Sequence, residues 1–173
     1  MDIELQMQNL RQGNSLALEN LYLELKNSVF ALCFSLVKNY QTAQDLMQDT
    51  FISVKQNILQ YTPNTNAKAW ILTIAKNKCF NHIKKYKRLV LEYDVEDQSC
   101  EAFKAHDESG IISLTIRALK KTELQIVLMH TLGDVSLKEI SSILNLPQGT
   151  VRWKYSNALK KIQKKMEEEQ YEN

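Results

Sequence analysis

Two stretches of the chain carry positive charge without any acidic residue, and they are the strongest chemical signal in the sequence. Residues 50–91 contain eight lysine or arginine residues and residues 140–166 contain six, with no aspartate or glutamate in either stretch. Such side chains bind phosphate oxygens, whereas an ordinary solvated helix mixes both signs. The net charge is only +2 because acidic residues dominate the segments between and around them. This segregation indicates a protein that contacts a polyanion at two places.

The second basic stretch has the pattern of a helix-turn-helix. Ser136 and Glu139 have the spacing of a capping box, which predicts the start of a helix. Asn145 and Pro147 then predict a turn, because asparagine tolerates a left-handed backbone and proline cannot continue the helix before it. The next predicted helix is apolar on one side and cationic elsewhere, which is typical of a recognition helix in the DNA major groove. An ordinary pair of antiparallel helices with a lysine-rich side is the alternative.

The first basic stretch predicts a site for unpaired nucleic acid. Residues 61–66 form an uncharged loop, rich in side chains that form hydrogen bonds, and the loop leads directly into a helix predicted over 67–88. Lysine residues of this helix are interspersed with amide and aromatic side chains. Such a surface suits a single strand, because lysines hold phosphates while the loop accepts a base. The alternative for the aromatic residues is core packing, which is favoured for Trp70.

An acidic and amide-rich side is expected on the helix predicted to begin near Thr42. Gln44 and Gln48, together with Asp45 and Asp49, form two pairs of residues four positions apart that lie side by side. From the residues alone, solvation and the favourable effect of acidic residues in a helix's first turn are the better explanation.

The elements that must position these residues are predicted to be helices. The chain of 173 residues is 44% hydrophobic, contains four glycines and two prolines, and has no cleanly alternating run of strand-forming residues. Helical periodicity after Ser15, a candidate N-cap, predicts one long helix or two with a bend. Two more helices are predicted over 111–119 and 122–132, the second opened by Thr122.

The expected architecture is all-α, with two small helical domains at 1–90 and 111–173 and a helix-turn-helix in the second. Residues 89–110 carry seven acidic residues against one lysine and have few apolar residues after Val95, which predicts a flexible acidic linker, assigned to 91–110.

Neither a catalytic site nor a metal site is expected. The three cysteines are widely spaced and form no C-x-x-C motif, which favours a reduced, cytoplasmic protein without a metal or cofactor. The three histidines fall in different predicted segments, and no Ser/His/Asp or paired-carboxylate pattern is present. The polar N-terminus does not resemble a signal peptide, and the apolar run Val29–Val37 is too short to span a bilayer. It is better explained as a buried helix.

Three motifs in this order resemble the extracytoplasmic-function (ECF) sigma factors, the two-domain promoter-recognition subunits of bacterial RNA polymerase. The family pattern A-x-D-L-x-Q-[DE]-x-F-x-x-V is matched by AQDLMQDTFISV at 43–54, and W-L-x-x-I-A-x-N appears as WILTIAKN at 70–77, with isoleucine in the place of the leucine. The pattern S-x-x-E-I-A, a turn, G-T-V and a basic helix appears from Ser136, with Ser141 where the family usually has alanine and Asn145 where it usually has glycine. Trp153 stands where serine is common, so no promoter sequence carries over.

The resemblance implies that the protein directs core RNA polymerase to promoters, and it implies a role for each surface. The residues expected to dock on polymerase are Asp45, Gln48 and Asp49. Those expected to bind the −10 element as a single strand, with a flipped base, are Tyr61, Asn64, Asn66, Lys68, Lys76, Asn77, Asn81, Lys84 and Lys85. Those expected to contact the −35 duplex are Gln148, Thr150, Arg152, Trp153, Ser156, Asn157 and Lys160. The resemblance also implies an anti-sigma factor, often membrane-anchored, that covers both basic surfaces.

Three other classes of protein remain open. A free-standing helix-turn-helix regulator explains the second basic stretch but not the first. A helical RNA-binding protein explains the charge. An enzyme on a helical scaffold is the weakest of the three, because the sequence contains no recognisable site.

Overall fold

The computed structural model describes residues 2–92 and 111–171, with side chains over 2–86 and 114–168. The helices, in chain order, are α1 (Ile3–Arg11), α2 (Ser15–Val37), α3 (Tyr40–Gln56), α4 (Ala67–Glu92), α5 (Ile111–Ala118), α6 (Lys121–Thr131), α7 (Leu137–Leu144) and α8 (Gln148–Tyr171), and a short 3-10 helix covers Ile58–Gln60. No strand occurs among these residues, so the predicted all-α class is confirmed. Of the predicted linker at 91–110, residues 91 and 92 belong to α4, and the rest lies outside the described residues.

The first helical unit consists of α1 to α4, and α2 lies at its centre. Helices α3 and α4 pack against α2 on one side, and α6 of the second unit packs against it as well. The segment Val29–Val37 is therefore buried almost throughout, and Ser28 and Ser35 are buried with it. The prediction of a buried helix here is confirmed, and α2 runs as a single helix. Within the described residues, no helix is long and apolar enough to cross a membrane.

Helix α1 was not predicted from the sequence. Asp2 caps it by accepting hydrogen bonds from the Glu4 and Leu5 amides at 3.0 and 3.2 Å. Met7 and Leu10 are buried against the rest of the unit. Ile3, Met7 and Leu10 have helical spacing, a signal that is present in the sequence. The packing of α1 on α2 places Glu4 beside the loop that follows the 3-10 helix.

The predicted start signals of three helices are wrong by one to three residues. Asn14, not Ser15, caps α2 and accepts a hydrogen bond from the Leu16 amide at 3.0 Å. Asn39 caps α3 and accepts from the amide of Thr42, the residue predicted as the cap, at 2.9 Å. An asparagine shortly before each predicted cap fills the same role, because its side-chain oxygen is an equally good acceptor.

Helix α6 also begins earlier than predicted, at Lys121 rather than at Thr122. The Glu123 carboxylate accepts a hydrogen bond of 3.1 Å from the Lys120 amide, so an acidic side chain reaches back to the helix start. The predicted favourable acid in the first turn is therefore present, while Thr122 lies inside the helix.

The second unit consists of α5 to α8 and packs directly against the first. The Ser28 hydroxyl of α2 donates a hydrogen bond to the Gly133 carbonyl, which follows α6. A Cβ atom at position 133 would lie 2.7 Å from the Met129 carbonyl oxygen and 3.0 Å from the Ala31 Cβ. The close approach of the two units at this point therefore requires glycine. The sequence had left the relative placement of the units open.

Candidate nucleic-acid interface

The helix-turn-helix forms through the local contacts that the sequence predicted. The Ser136 hydroxyl accepts a hydrogen bond of 3.2 Å from the Glu139 amide, and Glu139 accepts one of 3.0 Å from the Ser136 amide. Asn145 ends α7 with a left-handed backbone, at a φ of 54°. The Leu146 amide then donates to the Ser141 carbonyl at 2.9 Å. These contacts satisfy both ends of α7 and fix the angle at which α8 starts.

Helix α8 is oriented by its apolar side, again as predicted. Val151 and Ala158 are fully buried, and Tyr155 and Ile162 are partly buried against the same core. The Tyr155 ring meets the edge of the His130 ring with centroids 4.9 Å apart, which ties α8 to α6. The opposite side of α8 must therefore point into solvent.

That outward side carries the residues predicted for duplex contact, which lie between Gln148 and Lys160 of α8. The exposed members of the set are Gln148, Arg152, Trp153, Ser156 and Lys160, and the partly exposed ones are Thr150 and Asn157. The set combines cations, hydroxyl and amide groups and one large aromatic ring, so it can contact phosphates, base edges and apolar groups.

Not every lysine of α8 is available for phosphate. Lys161 donates a hydrogen bond of 2.6 Å to Glu123, which is 6% exposed on α6. Burial by itself would raise the pKa of Glu123, but Lys161 and the Lys120 amide outweigh burial, and the pKa lies below its ordinary value. Further along α8, Lys165 pairs with Glu168 at 3.0 Å. Some lysines of the second basic stretch therefore pair with glutamates of the chain, and others are exposed on the outward side of α8.

The loop after the 3-10 helix is held by α1. The Tyr61 hydroxyl donates to Glu4 at 2.6 Å, and the Asn64 amide donates to the other oxygen of the same carboxylate at 2.8 Å. Burial, followed by the hydrogen bond to Glu4, raises the pKa of the Tyr61 phenol, so it stays protonated as a donor. The sequence analysis did not identify Glu4, because no spacing signal connects residues 60 positions apart.

Tyr61 lies in the core rather than on the surface that the sequence predicted. Its side chain is only 4% exposed, and its ring centroid is 5.3 Å from that of Trp70. Trp70 itself is partly buried, in agreement with the favoured core role. Tyr61 therefore supports the loop from below in this conformation, while Asn64 and Asn66 are exposed above it. The Asn66 side chain also accepts a hydrogen bond from the Ala69 amide, at 2.9 Å.

The outward side of α4 carries an amide and lysine surface, as predicted. Asn77, Asn81, Lys84 and Lys85 are all exposed. Phe80 is 45% exposed, and its ring centroid lies 5.9 Å from the Lys76 Nζ. The core-packing alternative therefore does not hold for Phe80, nor for Tyr86, which is 44% exposed.

Two further lysines predicted for single-strand contact instead reach the helix-turn-helix unit. Lys68 donates to the Asp134 carbonyl at 3.2 Å, and Lys76 donates to the Ile143 carbonyl at 2.6 Å. Ile143 is in the last turn of α7, where carbonyl groups lack helical partners. In this arrangement, both ammonium groups connect the two units, and a bound phosphate would have to compete with these carbonyl groups.

The acidic side of α3 is uncovered. Asp45, Gln48 and Asp49 are exposed, and Ile52, one turn further on, is 53% exposed. The opposite side of α3 supplies core residues such as Leu46. No part of the described chain covers this side, so it is accessible to a partner.

The titratable groups of the described residues do not form a reactive cluster. Among them, no group of histidine, cysteine, aspartate and glutamate side chains is arranged to hold a metal ion. Cys33 and Cys79 are buried next to each other between α2 and α4. The Cys79 thiol and burial raise the pKa of Cys33, which keeps it in the unreactive thiol form.

Two family models match the chain in the same order as the two helical units. Residues 21–89 match Sigma-70 region 2, and residues 109–162 match Sigma-70 region 4. The chain is 24% identical over 183 aligned positions to the ECF RNA polymerase sigma factor SigW of Bacillus subtilis strain 168, with 96% of this chain and 97% of SigW covered. It is 22% identical over 177 positions to the RNA polymerase sigma-H factor of Pseudomonas aeruginosa, with 93% and 92% covered.

Two solved structures share the fold. One is the sigma factor RpoE of Bartonella quintana in complex with the anti-sigma factor NepR, with a TM-score of 0.67, 20% identity, and 86% of this chain and 95% of RpoE covered. The other is CnrH in complex with the cytosolic domain of CnrY, with a TM-score of 0.67, 18% identity, and 95% and 96% covered.

Proposed function

The chain belongs to the ECF family of RNA polymerase sigma factors, and we propose that three of its exposed surfaces divide the contacts of promoter recognition among them. The observation that carries the proposal is that the outward side of α8 is exposed while its apolar side is locked to the core. An exposed recognition helix with Arg152 and Lys160 on it is suited to the major groove of the −35 element.

The polymerase-binding surface is assigned to Asp45, Gln48 and Asp49 on α3. The carboxylates are exposed, and Gln41 donates a hydrogen bond of 3.3 Å to Asp45, which orients that side chain. Exposed Ile52 adds an apolar contact at the same edge. Two carboxylates beside an amide and an apolar residue fit a basic partner surface.

The −10 element is assigned to the outward side of α4 and to the loop before it. Lys84 and Lys85 are suited to phosphates, while Asn77 and Asn81 can form hydrogen bonds with base edges. Asn64 and Asn66 are the loop residues offered to a flipped base. Tyr61 supports that loop through Glu4, and its own contact with a base would need the loop to open.

DNA binding at α4 also competes with the packing of the two units. Lys68 and Lys76 can contact phosphates only after leaving the Asp134 and Ile143 carbonyls. We therefore infer that polymerase and promoter together separate a first domain at 1–90 from a second at 111–173, with the linker at 91–110 spanning the gap. The binding free energy must exceed the cost of breaking these contacts.

A protein regulator fits the same surfaces. RpoE was solved with the anti-sigma factor NepR, and CnrH with the cytosolic domain of CnrY. An inhibitor that covers the lysine surface of α4 and the outward side of α8 would keep this chain from promoter DNA. The chain would act in the cytoplasm, where polymerase works, and would act by binding rather than by catalysis.

The proposal is tested by association of the tagged full-length chain with bacterial core RNA polymerase. Asp49→Lys should weaken association about tenfold or more, because it places a cation against a basic surface. Glu19→Lys, a change of the same charge at an exposed position on α2, should not. Equal affinity of the wild type, Asp49→Lys and Glu19→Lys for polymerase would contradict the assignment of the polymerase-binding surface to α3. No association with any form, together with specific duplex binding by the chain alone, would indicate a free-standing regulator.

A further inference from the structure

Trp153 is a large apolar side chain placed where a soluble helix would carry a polar one. It is 62% exposed, whereas Val151 and Ala158 of the same helix are fully buried. Its ring lies beside Lys154, with the ammonium nitrogen 5.9 Å from the ring centroid. An indole held in water in this way leaves most of its apolar area available to a partner.

The position of Trp153 on α8 indicates which kind of partner its ring contacts. Gly149 lies one turn before it and Lys160 two turns after it, along the line that points away from the core. Apart from the backbone of α8 itself and the adjacent residues, no atom lies within 4 Å of where a Cβ at Gly149 would stand, so the helix surface one turn before the indole is open. Arg152 and Lys160 of the same helix are both exposed and add positive charge to this side of α8. This surface is complementary to DNA, and the N-terminal turns of a recognition helix are the ones that meet base edges.

The chemistry of the indole limits which group of the DNA it can contact. Trp153 has one hydrogen-bond donor, no acceptor and a broad apolar surface. In the major groove, only thymine presents an apolar group, its C5-methyl, whereas the other edges are polar. Phosphates offer no apolar contact to an indole, and the lysine and arginine side chains near Trp153 are better suited to bind phosphates.

We propose that Trp153 reads a thymine of the −35 element by packing its indole against the C5-methyl group. The inference rests on the proposed function, since it requires α8 to lie in the major groove. It adds an apolar readout to the polar contacts of Arg152 and Ser156. A promoter recognised by this chain therefore contains a thymine opposite the second turn of α8.

The test uses the holoenzyme and a −35 duplex selected by it from a random library. Each thymine is replaced singly by uracil, which removes the methyl group and leaves the polar edges unchanged. One replacement should weaken wild-type binding about fourfold, the value expected for one buried methyl group. In Trp153→Ser the affinity should fall, and the same uracil should have no further effect. Leu159→Ser, which alters an apolar side chain 43% exposed on the same helix, should keep the uracil effect.

The outcomes separate this inference from the proposed function. If Arg152→Ala weakens binding to the selected duplex but no uracil does, α8 reads the groove and the thymine contact is wrong. A uracil effect that persists in Trp153→Ser also overturns it. If neither Arg152→Ala nor Trp153→Ser changes duplex binding, the assignment of α8 to the −35 element fails as well. Both residues are exposed, so thermal unfolding should show intact folding of each variant.

Discussion

Lys161 and Glu123 form an ion pair across the second unit, with the lysine Nζ 2.6 Å from Oε1 of a carboxylate that is nearly buried. The pair joins α8 to α6. The preceding residue, Lys160, is exposed and lies on the outward side of the same helix. Two adjacent lysines thus lie in different surroundings: Lys161 is in an ion pair of the fold, and Lys160 is exposed, where we propose that it contacts DNA.

Replacing each of these lysines by methionine should separate the two roles. Lys161→Met leaves the Glu123 carboxylate without its partner and should lower the free energy of unfolding by about 1–2 kcal/mol, less than for a fully buried pair because the Lys161 side chain is 43% exposed. Lys160→Met should leave stability unchanged but weaken binding to all duplexes and reduce its salt dependence by about one phosphate contact. Urea unfolding and salt titrations measure both effects. Equal stability of the two variants would show that the ion pair contributes nothing.

The same pair predicts a pH dependence of stability. Because the pKa of Glu123 in the folded chain lies below its ordinary value of 4.5, its contribution is present above that pH and is lost as the pH falls through the lower, folded value. Glu123→Gln lacks this contribution. The stability difference between wild type and Glu123→Gln, measured by urea unfolding, should therefore be largest near neutral pH and shrink in acid. A difference that does not change with pH would contradict the role assigned to the pair.

Arg152 should determine specificity, in contrast to Lys160. Its guanidinium is exposed on the first turns of α8, where bidentate contact with guanine is the commonest specific pairing. Arg152→Ala should cost about 1–3 kcal/mol on the selected duplex and relax discrimination at one base pair. Binding of the holoenzyme to selected and scrambled duplexes measures this. Equal losses on both would reassign Arg152 to phosphate contact.

Glu4 should control the loop offered to the −10 strand. Its two carboxylate oxygens accept from Tyr61 and Asn64, so Glu4→Ala removes both hydrogen bonds at once. We expect faster amide hydrogen exchange at Asn64, a loss of about 1–2 kcal/mol in stability, and weaker holoenzyme binding to an unpaired −10 strand. Glu19→Ala, at an exposed position, is the matched control. Unchanged exchange at Asn64 would mean that other contacts hold the loop.

Local sequence signals predicted the helix-turn-helix well. The Ser136–Glu139 box, the left-handed Asn145 and the division of α8 into buried and exposed sides depend on residues a few positions apart, and all are present. The caps near Ser15 and Thr42 were misplaced because neighbouring asparagines compete for the same role.

Contacts between distant residues were not predictable in the same way. Glu4 with Tyr61 and Lys161 with Glu123 join residues 57 and 38 positions apart, and no periodicity marks them. The close approach of α2 to Gly133, after α6, likewise leaves no room for a side chain at that position, and these close neighbours are visible only in three dimensions. Among the residues assigned to polymerase or DNA contact, Tyr61, Lys68 and Lys76 are engaged in such long-range contacts. The others are exposed, or partly exposed in the case of Thr150 and Asn157.

The Gly133 contact also bears on how readily the two units can come apart. It brings together a glycine, the Ser28 hydroxyl and the methyl group of Ala31, which are among the smallest groups that proteins contain. When such groups are wetted, little hydrocarbon becomes exposed, and water replaces the lost hydrogen bond on both sides. At this point of the seam, the two units can therefore separate with little exposure of apolar surface.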